Sequence, residues 1–195
     1  MEKIDVVFLD FDGVINTPML TEANMRRGHA YNHEEDRKVN NYRAICYLNE
    51  LCHLEKLKIV VSSTWRMADK QYPVAKALYN SGLDLDIEVI GCTPILHQDR
   101  GIEIKNFLVS HPQIDRFVIL DDDSDMADLI DYLVLCNHEV GFGAPEFLVA
   151  IKLLDEKFDE KNDYTVDEDH YNLITSNIEQ AVDINHDNYK RLLLK

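Results

Sequence analysis

Two short acidic clusters are the residues of this chain best placed to do chemistry. Asp10 and Asp12 flank Phe11 and precede Gly13, at the end of an apolar run, Val6–Leu9. Three consecutive aspartates, Asp121, Asp122 and Asp123, with Asp125 two residues on, follow a second such run, Phe117–Leu120. A third apolar run, Ile59–Val61, stops at Ser62, Ser63, Thr64 and Trp65, and a lone guanidinium, Arg100, stands before Gly101. Each piece alone has an ordinary reading: Asp favours turns, Ser and Thr cap helices, and a run of Asp solvates a loop. Gathered at one place they would form a costly cluster, because like carboxylates raise one another's pKa. A bound Mg²⁺ removes that cost, since it prefers hard oxygen ligands.

Positioning these groups requires a fold that brings strand ends together. Val6–Leu9, Ile59–Val61, Ile87–Ile90, Phe117–Leu120 and Leu133–Cys136 read as short buried strands, the kind found in parallel sheets. Between them lie helical patterns. Tyr42, Ile45, Leu48, Leu51, Cys52 and Leu54 recur at helical spacing. Pro73 opens a second helix stopped by Gly82, a third starts near Gly101, a short one spans Met126–Tyr132, and Pro145 opens a fourth long one bearing Phe147, Ile151, Leu154 and Phe158. Alternating strand and helix predicts an α/β, Rossmann-like three-layer fold: a central parallel sheet with helices on both faces. Ligands of such sheets bind beyond the carboxyl ends of the strands, where all the polar groups named above fall.

In that order, these motifs resemble the haloacid dehalogenase (HAD) superfamily of phosphotransferases. Asp10-Phe11-Asp12-Gly13-Val14 matches its first motif, Ser62 with Ser63 beside it the second, Arg100 the basic third, and Asp121-Asp122 the acidic fourth. Lys105 is the alternative to Arg100 for the third motif if the register differs. The stretches LDFDGVIN, SSTWR, RGIEI and VILDDD further resemble the HAD domains of "Swiss Army Knife" RNA-repair proteins. The likeness spans residues 1–155. It implies a Mg²⁺-dependent phosphatase in which Asp10 is the nucleophile and Asp12 the general acid and base. It also implies Mg²⁺ held by Asp10, the Asp12 carbonyl and Asp122, with Asp121 behind them or exchanging roles with Asp122, and Asp125 orienting a metal-bound water. Ser62, Ser63 and Arg100 would hold the phosphoryl group.

The intervals between motifs leave no room for a second folded domain, so the site is expected to carry a minimal cap or none and to admit a bulky substrate. A nucleotide or nucleic-acid phosphate end is the favoured substrate class; a phosphoprotein or small metabolite is the alternative. Arg26, Arg27, His29 and Arg37 either rim the cleft or belong to a solvated loop. Trp65 either packs under the sheet rim or offers a stacking face to a base or ribose. A response-regulator-like receiver, non-catalytic yet also built on Asp and Mg²⁺, is the competing class, as is an assembly domain without turnover.

Composition narrows the remainder. The 195 residues carry 36 acidic against 20 basic side chains, a formal net charge of −16, which weighs against bulk nonspecific nucleic-acid binding. No apolar run reaches the ~18–20 residues of a membrane helix, and no secretory leader pattern is visible at the N-terminus. Four cysteines without CxxC spacing suit a reducing cytoplasm, and the histidines lack zinc-site spacing. Residues 156–195 read as an acidic, partly helical extension, with a weak helical pattern over Tyr171–Val182.

Overall fold

The computed structural model describes residues 2–20, 41–68, 73–158, 169 and 172–180. Arg26, Arg27, His29 and Arg37 lie outside the described residues.

The elements run β1 (Ile4–Leu9), α1 (Tyr42–Glu55), β2 (Leu57–Val61), a 3-10 turn (Thr64–Ala68), α2 (Val74–Asn80), β3 (Val89–Cys92), α3 (Arg100–Ser110), β4 (Ile114–Asp121), a second 3-10 turn (Ala127–Tyr132), β5 (Leu133–Leu135) and α4 (Ala144–Phe158). The five strands form one sheet in the order β3-β2-β1-β4-β5, every pairing parallel. This is the α/β Rossmann-like architecture that the alternating pattern predicts.

Alternation along the strands divides the core in two. Val7, Leu9, Ile59, Val61, Val118 and Leu120 face one layer, packing with Leu48 and Leu51 of α1, Leu78 of α2 and Phe147 and Ile151 of α4. Val6, Phe8, Val60 and Ile119 face the other, against Ile104 and Phe107 of α3, Met126 just before the second 3-10 turn and Leu129 within it. A strand's period of two thus supplies both layers from one segment. The start of α1 is fixed by Asn41, whose Oδ1 accepts from Ala44 N at 3.2 Å.

Strand boundaries differ from the sequence reading: β1, β2 and β4 start two or three residues earlier, β4 runs on through Asp121, and β5 stops at Leu135 rather than Cys136. The third strand begins at Val89 rather than Ile87 and continues through Gly91, a residue whose type predicts its end. There β2 pairs Ile59 with Val89 but Val60 with Gly91, a register shift that leaves one residue extra on β3. The last helix, α4, runs to Phe158, the last apolar residue of its helical pattern. Residues 172–180 are helical and bury Ile174 and Ile178 against the first core layer, and Glu179 meets Arg43 at 3.0 Å and the Tyr47 hydroxyl at 3.1 Å.

The topology itself selects the site. Strand order turns at β1, with β2 on one side and β4 on the other, and such a switch point opens a crevice above the strand ends. Leu9 aligns with both Val61 and Leu120, so Asp10, Ser62 and Asp121, the next residue of each segment, stand at one level.

Candidate active site

Asp10 is the first residue beyond β1. Its backbone N–H donates to Leu120 O at 3.0 Å, while Ser62 N–H donates to Leu9 O at 2.9 Å, so the ladder carries its register into the loops. This brings together the carboxylates of Asp10, Asp121 and Asp122, each with an oxygen within 4.8 Å of the others. Asp10 and Asp121 are only 5% and 1% exposed, whereas Asp12 is on the surface.

Gly13 makes the approach of the two loops possible. Its φ of +79° lies where L side chains strain, and a Cβ there would overlap the Asp122 carboxylate. Gly101 is constrained by backbone instead. A Cβ there would overlap the Met126 carbonyl, so only glycine lets the start of α3 sit against the β4 loop.

Arg100, at the first turn of α3, reaches into the cluster. Its Nη1 lies 2.9 Å from Asp10 Oδ1 and 3.5 Å from Asp121 Oδ2, and it also donates to the Ser62 carbonyl. Asp125 fixes that helix start, its carboxylate accepting from Arg100 N–H and its carbonyl from Gly101 N–H, both at 3.0 Å. Lys105, the alternative basic residue, is instead paired with Asp128 at 2.5 Å on the surface.

Of the two serines, Ser63 donates its hydroxyl to Asp10, while the buried Ser62 Oγ has no hydrogen-bond partner among the described residues. Asp121 Oδ1 accepts from Asp123 N–H at 3.0 Å, and Oδ2 is buried without a hydrogen-bond donor among the described residues.

The electrostatics follow from that burial. Desolvation raises the Asp10 carboxyl above its usual range, and the opposing pull of Arg100 does not cancel it. Asp121 is pushed up to about 7, by burial first and by the charge of Asp10 second. Burial by itself would lower Arg100, but the charges of Asp10 and Asp121 outweigh it and hold the guanidinium above its ordinary value.

The donor set fits a hard divalent cation. Three carboxylates converge, one oxygen of Asp121 is buried without a hydrogen bond among the described residues, and the two raised carboxyls are groups that a cation would return to the charged form.

A consequence is testable in metal-free protein. The Asp121 carboxyl ionises near 3.8 when unfolded and near 7 when folded. Between those values the folded state keeps a proton on this group that the unfolded state has released, so the contribution of Asp121 to stability falls as pH rises from about 4 to about 7 and then levels. With EDTA present, Asp121→Asn is expected to be more stable than the parent at about pH 8 by about 2–4 kcal/mol in urea unfolding, the gap closing as pH drops toward about 4.

Sequence reasoning missed several partners. His138, in the turn after β5, places Nδ1 2.5 Å from Asp122 Oδ2, a hydrogen bond that raises the imidazole's pKa. Asn16 Nδ2 donates to Asp12 Oδ1 at 3.2 Å. The Trp65 indole N–H donates to Asp12 Oδ2 at 3.0 Å, and its ring leans on Phe11 with centroids 5.1 Å apart.

Below the Ser62–Ser63 turn, the buried Arg66 pairs with the buried Glu103 of α3. It also donates to the carbonyls of Ser62, Ser63 (2.6 Å) and Thr93 (3.1 Å), and Glu103 accepts from Leu96 N–H at 2.8 Å. SSTWR and RGIEI contain both members of this pair, but sequence alone does not say that they meet.

A second group, His53, Asp84 and Asp86, is exposed near the amino-terminal end of β2, away from these strand ends. Among the described residues no helix is long and apolar enough to cross a membrane.

No curated protein and no solved structure matches this chain. A family model does, and its span, residues 6–147, runs from inside β1 to the start of α4 and takes in both aspartate loops, the serine turn and Arg100. With the motifs in their strand-end places and most of the chain matched, this protein belongs to the family described as the HAD domain in Swiss Army Knife RNA repair proteins.

Proposed function

We propose that the protein is a Mg²⁺-dependent phosphomonoester hydrolase working through an aspartyl-phosphate on Asp10. The observation that carries this is Asp10 itself: buried at the switch point, hydrogen-bonded by Arg100 and Ser63, and within reach of two further carboxylates. A carboxylate is a weak nucleophile, so orientation and neutralisation of phosphoryl charge must supply the rate.

Asp10, Asp122 and the Asp12 carbonyl would hold the cation, with Asp121 behind them or joining them as a ligand. When bound, the cation supplies charge neutralisation to the phosphoryl oxygens. The chain's own groups do the rest. An Asp10 oxygen attacks phosphorus as the bond to the leaving oxygen breaks. Asp12 gives that oxygen its proton, and then takes one from the water that opens the aspartyl-phosphate. Ser62, whose hydroxyl has no partner among the described residues, and Ser63 donate to phosphoryl oxygens, and Arg100 neutralises charge that develops on them.

The substrate we favour is a nucleotide or nucleic-acid phosphate end. The family's description as part of RNA repair proteins supports this. So does the second interval between motifs, Trp65 to Asp99, where the described elements are the rest of a 3-10 turn, α2 and β3, with no separate lid among them. The four free cysteines support a reducing compartment, and we place the protein in the cytoplasm.

The receiver-like alternative calls for a phosphorylated Asp at the end of the third strand. Here β3 ends in Cys92 and Thr93 follows.

Hydrolysis of p-nitrophenyl phosphate with Mg²⁺ or EDTA tests the proposal. Turnover that requires the metal and disappears in Asp10→Asn and Asp12→Asn is expected, followed by selectivity for phosphorylated oligonucleotide ends over phosphopeptides and sugar phosphates. No metal-dependent turnover of any of these would overturn it.

A further inference from the structure

The loop after β1 and the turn after β2 meet at a single indole. Trp65 donates its Nε1–H to Asp12 Oδ2 at 3.0 Å and its backbone N–H to Ser63 Oγ at 3.3 Å. Ser63 in turn donates to Asp10, so one residue touches the support of both aspartates. The ring is held by Phe11, which is fully buried and sits between Asp10 and Asp12 in the chain.

From the other side Asn16 Nδ2 donates to Asp12 Oδ1 at 3.2 Å. Asn16 is itself fixed, because its carbonyl accepts from Gly13 N–H at 2.6 Å and its own N–H donates to Phe11 O at 2.7 Å.

Asp12 is exposed, and the terminal torsion of an aspartate is broad. An unheld carboxylate there would sample many orientations, few of them suited to proton transfer. A donor on each oxygen fixes its plane. An indole N–H donates only and has no site for a proton, so Trp65 does not compete for the proton that Asp12 moves.

We infer that Trp65, assisted by Asn16, is a positioning residue that aims the Asp12 carboxyl at the leaving oxygen; this rests on the phosphatase reading. In the step concerned, an Asp10 oxygen–phosphorus bond forms and the bond from phosphorus to the leaving oxygen breaks. That oxygen takes the Asp12 proton, and Asp12 is left as a carboxylate between its two donors. Demand for the proton grows with the basicity of the leaving group.

That dependence separates aim from packing. Trp65→Phe keeps a ring against Phe11 and removes the N–H. With Mg²⁺ present, kcat/KM is compared for glycerol 2-phosphate, an alkyl ester, and p-nitrophenyl phosphate, whose leaving group is far less basic. If Trp65 aims Asp12, the alkyl value falls about 10-fold further than the aryl value. Trp65→Phe then also adds nothing to the loss already caused by Asp12→Asn, measured as single-turnover release of p-nitrophenolate. Asn16→Ala, which removes the donor on the other oxygen, should shift selectivity in the same direction.

Equal losses on both esters, or losses that multiply in the double variant, would overturn the inference and leave the phosphatase reading intact. A folded wild-type protein that turns over neither ester, nor any phosphorylated oligonucleotide, phosphopeptide or sugar phosphate, would overturn both.

Discussion

Asp10→Asn is expected to abolish steady-state turnover, by about three orders of magnitude or more, while leaving the fold in place and the metal-free protein at least as stable. The two effects share one cause. Asp10 is the buried carboxylate at the switch point, and an amide of the same shape has neither the charge nor the lone-pair reactivity to attack phosphorus. Burial raises the Asp10 carboxyl, which means that its charge at neutral pH is held at the expense of stability. The amide removes that cost and can still accept from Arg100 through its remaining oxygen. Rate assays with Mg²⁺, combined with urea unfolding in EDTA, check both halves. Activity that survives in Asp10→Asn would place the nucleophile elsewhere. A large loss of stability would mean that the carboxylate is there to hold the fold.

Arg66→Met carries the second large effect, this time on stability. Arg66 is 6% exposed and its partner Glu103 is 4% exposed. Removing the guanidinium leaves a buried carboxylate without its counter-charge, and takes donors from the carbonyls of Ser62, Ser63 and Thr93. Breaking a buried pair in this way costs about 3–5 kcal/mol. For a chain of this size that lowers Tm by about 10 °C. The double substitution Arg66→Met with Glu103→Met, which leaves no orphaned charge, is expected to recover part of the loss. Activity in Arg66→Met should fall even below the new Tm, because the turn that Arg66 braces presents Ser62 and Ser63. A thermal scan of Arg66→Met and the double variant beside the wild type decides this, and a loss of under about 1 kcal/mol in Arg66→Met would show that the pair contributes little.

What was legible in the sequence was whatever leaves a local mark. Asp10, Ser62, Arg100 and Asp121 stand at the ends of apolar runs or the start of a periodic one, and a parallel sheet brings such ends to one rim regardless of other detail. Period-two burial in Val6–Leu9 and helical spacing in Tyr42–Leu54 similarly report themselves within a few residues. Pairings across distance leave no such mark. Trp65 and Asp12 are 53 positions apart, Arg66 and Glu103 37 positions, and His138 and Asp122 16. The first needs the register of β1 against β2, the second the place of α3 beside the turn after β2, and the third the register of β4 against β5. The extent of β3 was obscured for a different reason: Gly91 is a turn signal by type, yet here it sits in the ladder beside a shift in register.

The histidine and the tryptophan show how such hidden partners change a site. By type, His138 reads as a loop residue, and Trp65 as packing under the sheet rim or as a stacking face. In the fold each donates or pairs to an aspartate of the site, so the loop after β5 and the turn after β2 both act on groups that the sequence assigns to β1 and β4.

Aspartyl-phosphate chemistry is tested most directly by asking where the phosphoryl group goes. Asp12→Asn, expected to form the intermediate and to hydrolyse it slowly, should be mixed with p-nitrophenyl phosphate and Mg²⁺, quenched in acid and mapped by peptide mass spectrometry. Phosphate is expected on the peptide bearing Asp10, absent when EDTA replaces Mg²⁺ and released by hydroxylamine as an acyl phosphate should be. Substrate turnover by the wild type with phosphate on no residue, or on one other than Asp10, would contradict that chemistry.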